Sequence, residues 1–248
     1  MSAKELVIKA VSEMTVDLDI DAVERYFALD FIQHSPTCPE GRTGLKTLME
    51  HAKSLGVRYR WHRAIGDGEY VVLHSRATGL GEMPVIIFDV YRVVDNKITE
   101  HWEAMQPEVA PGMIEGPADV VDLDRTDANR DLVREMIEKV FIGAEVGLLG
   151  EYFHNDELIQ HDSFIGDGVE ALREGTARLV QQGGSVEYQK LHKIVAEGNF
   201  VFTLVEAQMG GRPHAFYELF RLENGRIAEH WDVHPLLPEV APHANGLF

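Results

Sequence analysis

Apolar residues recur along this chain in two rhythms. From residue 3 to 15, Leu6, Val7, Ala10, Val11 and Met14 stand three and four apart, which predicts an amphipathic helix. A second helix is predicted to bury Ala22, Val23, Tyr26 and Phe27, with Asp19 or Asp21 as its cap. Phe31-Ile-Gln-His34 then reads as a short extended piece entering a Pro- and Gly-containing loop, and a third helix runs from about Gly44 to Leu55. Beyond it the rhythm changes to alternation. Strands are expected near 57–66, 69–78, 84–94 and 97–106, punctuated by Gly66-Asp67-Gly68, Gly79 to Gly81 and an Asp95-Asn96 turn.

Residues 112–128, rich in Gly, Pro and Asp, lose all periodicity, and after them the order restarts. Leu132, Val133, Met136, Ile137 and Val140 give a helix, and Leu148, Leu149, Tyr152 and Phe153 another. Leu158-Ile-Gln-His161 mirrors residues 31–34, and Pro107-Glu-Val-Ala-Pro111 returns as Pro238-Glu-Val-Ala-Pro242. A period of about 130 residues is too long for a solenoid. The pattern is a tandem duplication of one α+β domain, with expected boundaries 1–111, a linker at 112–128, and 129–248.

The most informative repeated stretch is a hairpin. Arg92-Val-Val-Asp-Asn-Lys-Ile-Thr-Glu-His-Trp-Glu-Ala104 returns as Arg221-Leu-Glu-Asn-Gly-Arg-Ile-Ala-Glu-His-Trp-Asp-Val233. A three-residue loop, Glu223-Asn224-Gly225, would set Glu218 opposite His230 and, in the first copy, Asp89 opposite His101. Alternation then gathers Asp89, His101 and Glu103 on one face, and Glu218, His230 and Asp232 on the equivalent face. A two-residue turn would separate acid from imidazole. The opposite faces carry Phe88, Val90, Ile98, Trp102 and Ala104, or Tyr217, Leu219, Ile227, Trp231 and Val233. Those apolar surfaces suggest that the halves pack sheet to sheet as an intrachain pseudo-dimer, or pair with another chain in a homo-oligomer.

Charge narrows the partners. Lysine and arginine number 23 against 41 acidic residues, a formal charge of −18, so the surface field repels phosphate backbones and anionic lipids. Neither nucleic acid nor a membrane is expected as a partner. A single Cys38 excludes an internal disulfide and provides no thiolate set for a metal, and no signal-type or 18-residue apolar run occurs, so a cytoplasmic location is expected. Asp89, His101 and Glu103 could be read as carboxylate and imidazole ligands, but no His-x-His or His-Glu-x-x-His spacing supports a metal, and none is assigned.

The Gln-His-Ser-Pro and Pro-Glu-Gly-Arg loop, the Phe-Asp-Val-Tyr-Arg strand and the Asn-Gly-Arg-Ile-Ala-Glu-His-Trp-Asp-Val hairpin resemble the SnoaL-like polyketide cyclase family. That family lies within the nuclear transport factor two-like, or cystatin-like, fold, and the resemblance covers nearly all of each half. It implies two tandem conical α+β barrels, each with a curved, mostly antiparallel sheet wrapped around helices over a pocket. It also implies acid/base chemistry without metal or organic cofactor, in which a pocket carboxylate enolises a small hydrophobic carbonyl compound for aldol-type cyclisation or isomerisation. The acid/base carboxylate after His-Trp falls on Asp232 and Glu103, its strand partner on Glu218 and Asp89, and the polar loop position on His161 and His34. Asp232 would be the base, assisted by Glu218 and His230, with Glu103, Asp89 and His101 as the first-half set. Pocket walls would include Ile87, Tyr91 and Met105, or Phe216 and Phe220. The first copy has Glu where the family usually has Asp, and the second replaces the Pro-rich loop with His161-Asp-Ser-Phe-Ile-Gly166. The competing readings are a non-catalytic small-molecule-binding protein and a hydrolase using the same pocket.

Overall fold

The structure, a computed structural model, describes residues 1–154, 157–162, 165–181 and 184–248. It divides into two units, Met1–Val109 with Pro238–Phe248, and Ala110–Leu237. Each is α+β, with helices first and a meander of strands after.

In the first unit α1 (Ala3–Thr15) starts on a capping box: Ser2 Oγ accepts the Glu5 N–H and the Glu5 carboxylate accepts the Ser2 N–H. Its expected stripe is buried, each large apolar side chain contributing roughly 1.5–3 kcal/mol. Next come α2 (Ala22–Tyr26), β1 (Phe27–Gln33) and α3 (Gly41–Leu55), which ends on left-handed Gly56 at φ 69°. Strands β2 (Arg58–Asp67), β3 (Tyr70–Thr78), β4 (Val85–Val94) and β5 (Lys97–Pro107) complete a sheet of order β1-β5-β4-β3-β2. Only β1 runs parallel to its neighbour, which sets Gln33 beside His101. Helix α1 packs over β2 and β3, and α3 against β1.

The second unit repeats this plan. It comprises α4 (Thr126–Met136), continued by a wider helical turn over Ile137–Ile142, then α5 (Leu149–Tyr152), β6 (Ile159–Gln160) and α6 (Val169–Gln181). Strands β7 (Val186–Glu197), β8 (Phe200–Met209), β9 (Arg212–Glu223) and β10 (Arg226–Val233) follow, in the order β6-β10-β9-β8-β7.

The expected hairpin register is wrong, and the reason is instructive. Both turns have two residues at positive φ, Asp95 and Asn96 at 50° and 59°, Asn224 and Gly225 at 49° and 76°. Such a turn alone would throw acid and imidazole onto opposite faces. A bulge at Thr99, and at Ala228 in the second unit, adds one residue and restores the parity. Asp89 therefore faces Glu103 and Tyr91 faces His101, while Glu218 faces Asp232 and Phe220 faces His230. The bulge also moves Ile98 and Ile227 off the Trp102 and Trp231 faces into the helix-packed cores.

Two expected boundaries change as well. The aperiodic stretch after residue 110 is built into the second unit: Val121 N–H donates to Asn199 Oδ1 at 3.0 Å and Val121 O accepts the Asn199 N–H at 2.9 Å. Pro238–Phe248, expected to close the second domain, belongs to the first. There His243 Nε2 donates to Ser35 O and Asn245 Nδ2 to Gln33 O, at 2.8 and 2.9 Å. Absence of hydrophobic rhythm marks both stretches as loops, but backbone groups still need partners, and these loops supply them.

Candidate functional site

On the helix-facing side of the first sheet, polar side chains from five elements converge. Asp89 on β4 accepts the Tyr59 hydroxyl at Oδ2, 2.6 Å away, and its Oδ1 lies 2.9 Å from His101 Nε2. The other imidazole nitrogen, Nδ1, is 3.1 Å from Gln33 Oε1, which also accepts the Ser35 N–H at 2.9 Å. Tyr91 stacks on the His101 ring, centroids 4.6 Å apart. Glu103, directly across from Asp89, accepts the hydroxyls of Ser35 and Thr37 at Oε1, both at 3.2 Å.

These groups form one end of a cavity of about 130 Å³. Its remaining wall is largely apolar, with Val11 and Met14 from α1, Leu45, Leu48 and Met49 from α3, and Ile87 and Met105 from the sheet. Burial pushes the Glu103 carboxyl above its ordinary proton affinity, and the Asp89 charge adds to this against the opposing pull of His101 and the two hydroxyls. Burial, with Asp89 nearby, also holds the Tyr59 and Tyr91 phenols well above their usual range, so both stay protonated donors. The Cys38 thiol is pushed up to about 11, chiefly by burial, and is not a nucleophile at neutral pH.

The second unit repeats the constellation with different spacing. His230 Nδ1 is 2.8 Å from Gln160 Oε1, but its Nε2 lies 3.6 Å from Glu218 Oε1. Glu218 accepts the Tyr188 and Thr203 hydroxyls at 2.8 and 3.2 Å, as Asp89 accepts Tyr59. Burial pushes the Asp232 carboxyl up to about 6, with Asp162 and Glu218 adding to it and His230 and His234 opposing. Burial pulls the His230 imidazole down, but Glu218 and Asp232 outweigh it and the net shift is upward.

The surroundings differ more than the polar groups do. Phe216 and His234 stand where the first unit has Ile87 and Met105, and their rings stack with centroids 5.1 Å apart. Tyr188 touches Phe216 at 5.1 Å and Phe141 at 4.8 Å, and Phe220 stacks on His230. Of the loop from His161 to Gly166, Ser163 and Phe164 lie outside the described residues.

Residues 8–101 match the SnoaL-like domain family. The first unit is a SnoaL-like domain. Both units have the nuclear transport factor two-like α+β fold. Solved structures similar to this chain include a nuclear transport factor two-like protein of unknown function from Cytophaga hutchinsonii, 18% identical, covering 43% of this chain and 92% of its own, with TM-score 0.38. Another is IdmH, a putative polyketide cyclase from Streptomyces antibioticus, 20% identical over 43% and 91%, TM-score 0.34. A third is an LEH-like epoxide hydrolase from M. tuberculosis, 20% identical over 45% and 85%, TM-score 0.35. No curated protein matches the sequence.

Two expected pocket residues lie elsewhere. His34 of the SnoaL-like domain stacks on Trp102, centroids 4.4 Å apart, on the sheet face opposite Gln33. Its Nε2 lies 3.2 Å from Glu100 Oε2 and its Nδ1 3.1 Å from Gly246 O. His161 does the same with Trp231, Glu229 and Gly112 O. Alternation decides this: of the adjacent pair Gln33 and His34, the glutamine takes the cavity side. Gln33, Gln160, Tyr59 and Tyr188 were not singled out from the sequence. The signal was present, since both pairs recur in the repeat.

Donor atoms of Asp89, His101 and Glu103 lie within 4.8 Å of one another, as do those of Asp162, Asp232 and His234. A cation in the first group would compete with the His101 to Asp89 bond and with the Tyr59 hydroxyl on Asp89. The hydrogen-bonded arrangement suits proton transfer, with a buried carboxylate of raised affinity beside neutral hydroxyl donors.

Among the described residues, no helix is long and apolar enough to cross a membrane.

Proposed function

We propose that the SnoaL-like unit removes a proton from the carbon next to a carbonyl in a small hydrophobic compound, leading to aldol-type cyclisation or isomerisation. Glu103 is the base: its carboxylate takes the proton as the C–H bond breaks and an enolate forms. Tyr91 and Thr37 line the same cavity, and the Thr37 hydroxyl, which donates to the ionised Glu103, is released as that carboxylate takes the proton and can turn to the charge on the enolate oxygen. In isomerisation the proton returns from Glu103 to a different carbon. In ring closure the enolate carbon attacks a second carbonyl, and the new alkoxide takes the proton back. No external oxidant, reductant or cofactor is needed for either balance.

The observation that carries this reading is the Glu103 carboxyl, its proton affinity raised by burial and by Asp89, at the end of an otherwise apolar cavity. A base titrating nearer to neutral pH than an ordinary carboxylate suits abstraction of a weakly acidic proton. Sequence pattern alone favours Asp232, but the aromatic rings packed around its unit support Glu103 instead.

Deuterium exchange at the acidic carbon of 1,3-dicarbonyl and aromatic polyketide-like compounds, followed by NMR, tests it. Wild type and Asp232→Asn should exchange one compound faster than buffer, and Glu103→Gln should not. Ligands that bind without accelerated exchange would make this a binding protein instead.

A further inference from the structure

We infer that Gln33 is a positioning residue that keeps an additional proton on the His101–Asp89 pair. The inference rests on the proton-transfer reading of the cavity and adds to it a residue that acts through His101.

The Ser35 backbone N–H can only donate, and it donates to the Gln33 side chain at 2.9 Å. The atom it meets is therefore the amide oxygen, and that same oxygen faces His101 Nδ1 at 3.1 Å. An oxygen acceptor there requires a hydrogen on Nδ1. Gln33 is fully buried, its backbone carbonyl accepts from the Asn245 side chain, and strand pairing sets it directly beside His101, so the residue is fixed in place and the Ser35 N–H decides which way its amide points. With Nδ1 occupied by a proton, the contact between Nε2 and Asp89 Oδ1, at 2.9 Å, must contain a second one. Its position, on nitrogen or on oxygen, does not alter the count: imidazole plus carboxyl, or imidazolium plus carboxylate, each sum to zero charge.

Without an acceptor at Nδ1, the ring can place its one neutral-state proton on Nε2 and donate to an ionised Asp89. The pair then carries one negative charge, directly across the strand from Glu103. Gln33 thus lowers the electrostatic cost of ionising the base. The other groups facing this centre are the Tyr59 and Tyr91 phenols, the Cys38 thiol, and Lys53 on α3; α1 contributes only Val11, Met14 and Thr15. None of these changes charge with the Gln33 side chain. The second unit repeats the contact, with Gln160 Oε1 at 2.8 Å from His230 Nδ1.

The test uses the full chain with ¹⁵N-labelled histidine, the His101 signals being assigned by their absence in His101→Asn. Wild type should keep a protonated Nδ1 throughout the titration. Gln33→Leu should move the neutral-state proton to Nε2, and Gln33→Glu, which restores an oxygen acceptor, should move it back. Gln33→Met serves if the leucine variant does not fold. In the exchange assay the acid limb of the pH–rate profile should rise by about one unit in Gln33→Leu, the size expected of one added like charge nearby. A loss of rate at unchanged pH profile would mean a merely structural role. Persistence of Nδ1–H in both apolar variants overturns the inference. Expected tautomers in a protein that exchanges no substrate proton would sink the catalytic reading and leave the positioning of His101 standing.

Discussion

Around Asp89 the flanking positions hold Ile87 and Met105, and space remains between sheet and helices. Around Glu218 the same positions hold Phe216 and His234, stacked ring on ring. Yet Gln, His, acid and Tyr persist in both units with nearly the same hydrogen bonds. A buried polar network resists piecemeal loss, because removing one member strands its neighbours at about 1–3 kcal/mol each. Apolar wall residues carry no such penalty and can be exchanged for larger ones. Recurrence of a polar motif in a duplicated chain therefore reports on how hard the motif is to dismantle, whereas the wall reports on whether a ligand fits.

The sharpest way to break this contrast is chemical. Glu103→Gln should lower proton exchange by about 10²- to 10⁴-fold, the usual contribution of a positioned base, while Asp232→Asn changes it less than two- or threefold. Equal loss from both substitutions would show that the second unit works too. The walls can also be swapped. Ile87→Phe with Met105→His should abolish ligand binding to the first unit in a titration. Phe216→Ala should cost the second unit about 3–5 kcal/mol by denaturant unfolding, as expected for an aromatic ring removed from packed surroundings.

Acidity separates the units by a smaller amount. Asp232, raised from 3.8 to about 6, binds its proton more tightly folded than unfolded. Its stabilisation is complete below about pH 4 and is lost as pH rises through 6, a change of order 2–3 kcal/mol. His230 is also raised and acts in the same direction. The protection of second-unit amides, taken relative to the base-catalysed intrinsic exchange rate, should fall between pH 4 and 7, and Asp232→Asn should flatten the lower part of that fall. The smallest effect concerns the turns. Asn96→Gly gives the first hairpin the glycine that the second has at Gly225, and should raise its stability by roughly 0.5–1 kcal/mol, visible as a higher unfolding midpoint.

Much of this arrangement is legible in the residues. The α1 stripe, the four long strands of each half and the duplication follow from periodicity, because one-sided burial imposes it. Asp89, His101 and Glu103 do share a face, though the expected pairing was two residues out. The Asn224-Gly225 turn was readable as a two-residue hairpin; what could not be read was the bulge at Ala228, which depends on how the strand bends over the helices. The resemblance put the family's polar loop position on His34, yet strand parity gave the cavity to the amide of Gln33. The destination of Pro238–Phe248 leaves no local trace, since its partners lie far away in sequence.

That segment has a consequence for synthesis. The Ser35 carbonyl waits for His243, made 208 residues later. At translation rates of about 5–20 residues per second the delay is roughly 10–40 s. In the later part of it, the edge of β1 that carries Gln33 is unclasped while the rest of its sheet, which ends at Pro107, has already been made. The half of the protein that begins folding first is the last to be finished.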